Sequence, residues 1–306
     1  MNNKITIVTA FFPIKREEWK GFERSNNKYI EYFKFWGRIK NDMIIYTTPL
    51  FSSEIKKIRE EFGCKNTKVV EIEDVTSIDR ELYSSIKKVS KNEKSVDFRI
   101  NPEFPESWNA EYNYTVCLKP WFVQDAIKKN KIRNHVAWID FGFNHGGEVY
   151  TNEKDFAFEW KYHFDDKINI FLKHELDEKP IFEICRKMDT YIQGSMIVAP
   201  EFYWEKLWIE FRNAMISLND VGLMDDDQTI MLMVYRKNKN DFSTHYLEKW
   251  HTQFVYFSEK KFAINTNNQF QLRGLKKIKN KIRYMISVFK YQKKWRKKMI
   301  KEEVKG

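Results

Sequence analysis

Three groups of residues in this chain have the types and spacing to do chemistry. In VAWIDFGFNHGG (136–147) an apolar, β-forming run ends at a carboxylate, Asp140, followed by Gly142, Gly146 and Gly147. Such a run reads as a strand covered on both faces. Its carboxylate then stands at the carboxyl end, where open α/β sheets bind ligands. The glycines leave room for a phosphate or metal to approach the backbone, although a strand ending in a turn uses the same residue types. In MDDDQTIMLMVYRKN (224–238), Asp225, Asp226, Asp227 and Gln228 precede a helical apolar run. Helix capping and the macrodipole account for one carboxylate. Three in a row exceed what a cap needs, and a cation or sugar hydroxyls nearby would relieve their repulsion and suit acid–base work. In LEKWHTQF (247–254), Trp250 and His251 bring an aromatic ring and an imidazole. The imidazole can ligate a divalent ion or, when charged, contact a phosphate, whereas most single histidines are surface or core-edge residues.

Two weaker signals accompany these. Gln193, Gly194 and Ser195 interrupt an apolar, β-rich segment, and a glycine inside a strand marks either a bulge or the close approach of a ligand or backbone. Lys119 precedes Pro120 at a helix start, proline's permitted position. There it either faces an anionic ligand or is simply solvated.

The elements that must position these residues alternate along the chain. Segments 4–11, 43–47, 67–72, 136–139, 167–172 and 191–199 read as strands. Segments 26–36, 52–62, 120–130 and 201–217, with the run after 224, read as helices. That order predicts an α/β fold with a mostly parallel sheet. Residues 89–108 are polar, contain Pro102 and Pro105, and are expected to form an irregular loop.

Composition sets the remaining bounds. With 306 residues, 42% hydrophobic and 16% aromatic, the chain can bury one large core or two smaller ones. Cys64, Cys117 and Cys185 lack metal-ligand spacing, and an odd count argues against a disulfide framework, so a reducing cytoplasm is expected. Neither a secretion signal nor a membrane-spanning apolar window is apparent. The net charge of +11 is concentrated: residues 273–306 hold fourteen Lys or Arg against Glu302 and Glu303, leaving 40 basic and 41 acidic residues before them. Within that tail, Leu275, Ile278, Ile282, Met285, Ile286 and Phe289 recur at spacings of three and four, with Trp295 and Met299 extending the stripe. A basic amphipathic helix suits an anionic membrane surface, because apolar insertion and Coulomb attraction add. Two other readings are a solvated helix packed on the body and an electrostatic arm for nucleic acid, with Tyr291 and Trp295 stacking on bases. The near-neutral body counts against nucleic acid.

Six separated segments carry a family resemblance: TIVTAFF with the Trp and Arg positions that follow, YNYTVCLKPWFVQDAI, AWIDFGF, QGSMIVAP, DDDQTIMLMV and WHTQF. In this order they resemble the HtrL/YibB-like family (WlaTC/HtrL), glycosyltransferase-like bacterial proteins encoded among lipopolysaccharide and capsule genes, which in turn resembles the GT-A fold. The resemblance implies a GT-A-like, single Rossmann-type domain over residues 1–258, with residues 259–306 as the basic tail. It implies that Thr9, Ala10 and Phe11 form the wall for base and ribose, with Lys119, Asp140, Gly142 and Gly194 completing the donor site. Asp140 matches the first carboxylate of the Asp-x-Asp motif, and Gly142 stands where the second is usual. His251 would then supply a further ligand to Mn²⁺ or Mg²⁺, with Asn144 as a spare oxygen, unless the metal is dispensable. Asp227 and Gln228 correspond to the element facing the transferred sugar, and one of Asp225, Asp226 and Asp227 to a general base if the enzyme inverts configuration. The implied activity is transfer of a sugar from a nucleotide-sugar donor, a UDP-hexose, to a lipopolysaccharide or capsule-type glycan, lipid-linked at the inner face of the cytoplasmic membrane. A catalytically inactive scaffold in polysaccharide assembly is the alternative that Gly142 favours. The tail generates a test: deleting residues 273–306 is expected to abolish cosedimentation with anionic liposomes while sparing turnover of a soluble acceptor.

Overall fold

A computed structural model describes residues 4–265, 282, 285–286 and 288–297. The apolar runs form seven strands: β1 (Ile5–Phe11), β2 (Met43–Thr47), β3 (Thr67–Glu71), β4 (His135–Ile139), β5 (Ile168–Leu172), β6 (Ile192–Pro200) and β7 (Phe242–Tyr246). They make one sheet in the order β3-β2-β1-β4-β6-β5-β7. β1 pairs in parallel with β2 and β4, β2 with β3, and β5 with β7. β6 runs against both β4 and β5, so the sheet is mixed and mostly parallel. Hydrophobicity does not encode the reversal of β6, since a strand buried on both faces is an apolar run whichever way it points.

The helices in chain order are α1 (Asn26–Trp36), α2 (Pro49–Glu61), α3 (Arg80–Ser90), α4 (Glu93–Asp97), α5 (Pro105–Trp108), α6 (Ala110–Cys117), α7 (Lys119–Asn130), α8 (Ile181–Lys187), α9 (Tyr203–Asp220), α10 (Asp227–Lys237) and α11 (Gln253–Tyr256). Side chains alternate across the sheet as a pleated strand requires. Val8, Trp138 and Ile197 enter one core with Phe122, Trp204 and Ile230, while Ile7, Ile139 and Met196 enter another with Phe33, Trp36, Trp160 and Phe254. Strand ends between the two layers are thus the free edge at which a ligand can be met.

The region expected to be an irregular loop, 89–108, instead completes α3 and adds α4 and α5. Asn92 caps α4 by accepting from Lys94 N, and Pro105 opens α5, where a missing N–H is harmless. α6 was not anticipated either: its buried face, Ala110, Asn113, Tyr114 and Cys117, includes a polar residue, and Tyr112 and Val116 lie off that face, so no clean apolar stripe shows in the sequence. Nor was β7, whose FSTHY sequence alternates too weakly to stand out.

Of residues 273–306, the described part is helical. Trp295 is buried, Lys294 pairs with Asp97, and Tyr291 meets Phe98 with ring centres 6.3 Å apart. Ile282, Met285, Ile286 and Phe289 are each at least 49% exposed. Trp295 therefore belongs to the docked side, not to the exposed apolar stripe. Leu275, Ile278 and Met299 lie outside the described residues. Among the described residues, no helix is long and apolar enough to cross a membrane.

One buried cation ties α2 to the loop between α1 and β2. Arg59 donates through Nη1 to Gly37 O (2.6 Å) and Ile39 O (2.5 Å), through Nη2 to Asn41 O (3.2 Å), and through Nε to Thr67 Oγ1 (2.9 Å). Asn41 in turn donates to Ile5 O and Trp160 O and accepts from Trp160 N. Arg59→Met keeps the stem but strands buried carbonyls, each worth about 1–3 kcal/mol when left unpaired. Urea unfolding should show a loss of about 3 kcal/mol or more, with the m value unchanged.

Candidate functional site

The strand ends and the loops above them enclose a cavity of about 670 Å³. β1 contributes Ala10 and Phe11, β4 delivers Trp138 and then Asp140 to Gly142, and β6 contributes Gly194 and Ser195. Asp140 N donates to Ser195 O at 2.9 Å, which brings the reversed strand level with the carboxyl end of β4. Lys119 enters from the start of α7, Asp227 and Gln228 from the start of α10, and Trp250 and His251 from the loop before α11.

Lys119 is the centre of the site. Its ammonium is 4% exposed and directs its donors to Asp140 Oδ1 (2.9 Å), Asp227 Oδ2 (2.8 Å) and Gly194 O (2.9 Å). Three partners satisfy all three N–H groups of an ammonium. Burial opposes its charge, yet Asp140 and Asp227 together hold it above the usual lysine value. Asp227 is pushed up chiefly by burial, with Lys119 opposing the shift. Gly194 is what lets the carboxylate in: a methyl group there would lie 2.0 Å from Asp227 Oδ2. The glycine thus marks close approach of a side chain, and the lysine is neither lone nor solvated. Asp140 Oδ1 also accepts from Trp138 Nε1 at 2.7 Å, so Oδ2 is the oxygen open to a ligand.

The three consecutive aspartates divide their work. Asp225 accepts from Arg99 Nη1 (3.3 Å) and Thr229 Oγ1 (3.0 Å), and Arg99 also donates to Cys185 O and Met224 O. Asp226 caps α10, accepting from Gln228 N at 3.0 Å, and does not reach the cavity wall. Burial, followed by Asp227, Asp225 and Glu106, pushes the Asp226 carboxyl well up. Only Asp227 faces the cavity. Glu106 stands behind them with Oε2 buried and without a hydrogen-bond partner among the described residues, its carboxyl pushed up by burial first.

On the opposite wall, Asn144 (φ 61°), His145 (φ 43°) and His251 (φ 61°) hold left-handed backbone, which costs of order 1 kcal/mol or more for each such residue and persists only where the surroundings impose it. Here the imposing contacts are visible. Asn144 Oδ1 accepts from Val149 N and Tyr150 N while Nδ2 donates to Tyr150 O, so its oxygen organises the loop and is not a spare metal ligand. Gln193 Nε2 donates to Leu247 O and Lys249 O, and Gln253 Nε2 donates to Gln193 Oε1, fixing the loop that carries His251. His251 packs against Phe143 and His145, with ring centres 4.9 Å and 5.1 Å away. Burial, helped by His145 and Arg24, lowers its pKa to about 3, so the imidazole is neutral across the physiological range.

The residues singled out in the sequence therefore fare unequally. Ala10, Phe11, Lys119, Asp140, Gly142, Gly194, Asp227, Gln228 and His251 line one cavity. Thr9 is fully buried and off the wall, and Asp226 is a helix cap. Asp140 and His251 do not share a cation site: Asp140 faces the Lys119 ammonium, while the donors that cluster with His251 are His145 and Glu148. The buried Lys119 ammonium stands 2.9 Å from Asp140 Oδ1, so a cation at Asp140 would have Oδ2 alone. Arg16, Arg24, Tyr29, Tyr112, His145 and Glu148 also line the cavity and were not singled out. His145 and Glu148 sit in or beside the glycine-rich segment after β4, and the arginines follow TIVTAFF closely, so their signal lay in position along the chain.

A mostly parallel sheet with a ligand-sized cavity at its strand ends makes this a Rossmann-like α/β protein. The chain belongs to the HtrL_YibB family, described as "Bacterial protein of unknown function (HtrL_YibB)", whose pattern matches residues 3–259. It is 33% identical over 276 residues to "Protein HtrL" of Escherichia coli (strain K12), covering 84% of this chain and 93% of that protein. The resemblance drawn from six segments is thereby borne out at the level of family.

The Asp226 environment makes a signed prediction. Its folded pKa is raised, so its stability contribution is fully present below the unfolded value and lost as pH rises through the folded one. Asn caps as well as Asp. Asp226→Asn should match the wild type in thermal melts near pH 4 and exceed it at pH 8, by about 1 kcal/mol or more.

Proposed function

We propose that this protein is a glycosyltransferase that moves a sugar from a nucleoside diphosphate donor, a UDP-hexose, to a glycan acceptor carried on a membrane lipid. The observation that carries this reading is the buried Lys119 ammonium, fixed between Asp140 and Asp227 on the floor of a ligand-sized cavity. Glycosyl transfer demands stabilisation of a departing diphosphate and a carboxylate near the attacking hydroxyl, and this cavity holds groups suited to both.

Arg16 and Arg24 line the mouth beside the aromatic residues Phe11, Phe12 and Tyr29. In the proposed arrangement the base lies against Ala10, Phe11 and Phe12, and the two guanidiniums take the diphosphate, whose charge grows as the bond to the sugar breaks. Arg16 Nη1 already donates to Tyr29 Oη at 2.8 Å, which limits its freedom before the ligand arrives. The donor sugar sits over Gly194, where no side chain intrudes. Asp227, the member of the acidic run that faces the cavity, accepts the proton of the attacking hydroxyl. Its raised pKa suits it to hold that proton, and Lys119 keeps its carboxylate in place. Asp140 Oδ2 receives a sugar hydroxyl. Ile282, Met285, Ile286 and Phe289, exposed on a helix rich in Lys, fit the surface on which a lipid-borne acceptor would be presented.

Calorimetry with UDP, GDP, CMP and their common sugars, with and without Mn²⁺, tests the reading. One nucleotide class should bind, and Arg24→Ala should weaken it by about 10-fold or more, the worth of a charge-assisted hydrogen bond. Asp140→Ala should weaken the nucleotide-sugar more than the bare nucleotide. Silence across all ligands in a well-folded sample would overturn the enzyme reading in favour of a binding or scaffold role.

A further inference from the structure

We propose that His145, Glu148 and His251 form a binding site for one divalent transition-metal ion of the class that favours imidazole nitrogen, such as Co²⁺, Ni²⁺ or Zn²⁺, on the wall of the cavity opposite Lys119. One ligand atom from each of the three lies within 4.8 Å of the other two. His145 Nδ1 is 2.9 Å from Glu148 Oε2, close to the roughly 3 Å that separates neighbouring ligands around an ion with bonds of about 2.1 Å. Small side-chain rotations bring in the third donor.

A surface ion pair between residues three apart accounts for His145 and Glu148 alone, since both are partly exposed. It does not account for His251. That ring is 6% exposed, lines the cavity, and leaves Nδ1 buried with no hydrogen-bond partner among the described residues. A buried polar atom left unpaired costs about 1–3 kcal/mol; the loop is otherwise held through Gln193 Nε2 and Gln253 Nε2, and among the described residues Gln253 Oε1 is likewise unpaired. A metal ion uses that lone pair. Two imidazoles and one carboxylate select a borderline transition metal over Mg²⁺ or Ca²⁺, which prefer all-oxygen shells.

Arg24 sets the character of the site. Its Nη1 lies 3.4 Å from His145 Nε2. When His145 binds metal through Nδ1, its ring proton moves to Nε2 and faces the guanidinium, so Arg24 must turn away. The ion and the arginine then leave excess positive charge on one wall, which an anionic ligand in the cavity would balance. The metal and the anion are therefore expected to bind cooperatively. This inference shares a cavity with the function proposed above but needs no nucleotide for its test.

The experiment is titration of the chelator-treated full chain with Co²⁺, followed by the visible spectrum of the bound ion. One equivalent should bind, His251→Gln should abolish it, and His145→Gln and Glu148→Gln should each weaken it by about 10-fold or more. Arg24→Met should tighten Co²⁺ alone and remove the gain in affinity that added pyrophosphate gives the wild type. Thermal melts establish that each variant is folded. Absence of stoichiometric binding, or wild-type affinity in the three folded ligand variants, would overturn the site. So would loss of binding in Asp140→Ala with the other variants unchanged, since the ion would then sit at Asp140.

Discussion

The site depends on an ammonium ion removed from water. A lysine 4% exposed survives as a cation only if its partners repay the hydration it loses, and here Asp140, Asp227 and the Gly194 carbonyl take every proton it has to give. Each partner comes from a different element: the end of β4, the start of α10 and the first residues of β6. The ion therefore joins two adjacent antiparallel strands to a helix that begins far from either in sequence. Removing the lysine would leave two carboxylates close together in a poorly hydrated place, a worse outcome than losing any one of the anions.

The same logic explains how three adjacent aspartates avoid defeating one another. Each is given its own counterpart: the Arg99 guanidinium for Asp225, the α10 amide at Gln228 for Asp226, and Lys119 for Asp227. The middle residue, whose partner is a neutral amide, has its carboxyl pushed toward the neutral acid by burial first and then by its neighbours. A polar cluster of this density in a protein interior is tolerated because nearly every group in it is paired.

Much of the architecture was legible in the chain because burial on both faces leaves an unmistakable apolar run, as in ITIVTAF, MIIYT and INIFL. Asp140 and Gly194 stood out in the sequence because one ends and the other interrupts such a run. What stayed hidden has a common cause. The direction of β6, the partners of Lys119 and the meeting of His145 with His251 depend on contacts between residues roughly 20 to 110 positions apart, and no local pattern records them. α6 was invisible for a local reason, since its buried face carries the polar Asn113 while Tyr112 and Val116 lie off it, so apolar residues do not mark one side.

The docking of the tail has a geometric consequence. Trp295 and Lys294 fasten the helix to α4, and Phe289 lies six residues before Trp295, roughly 9 Å along a helix at 1.5 Å per residue. The exposed Phe289 is thus carried close to a root that is fixed on the body. A surface that took up that side chain would hold the body close to it instead of tethering it loosely. The opening of the cavity would then be held near that surface each time the protein landed.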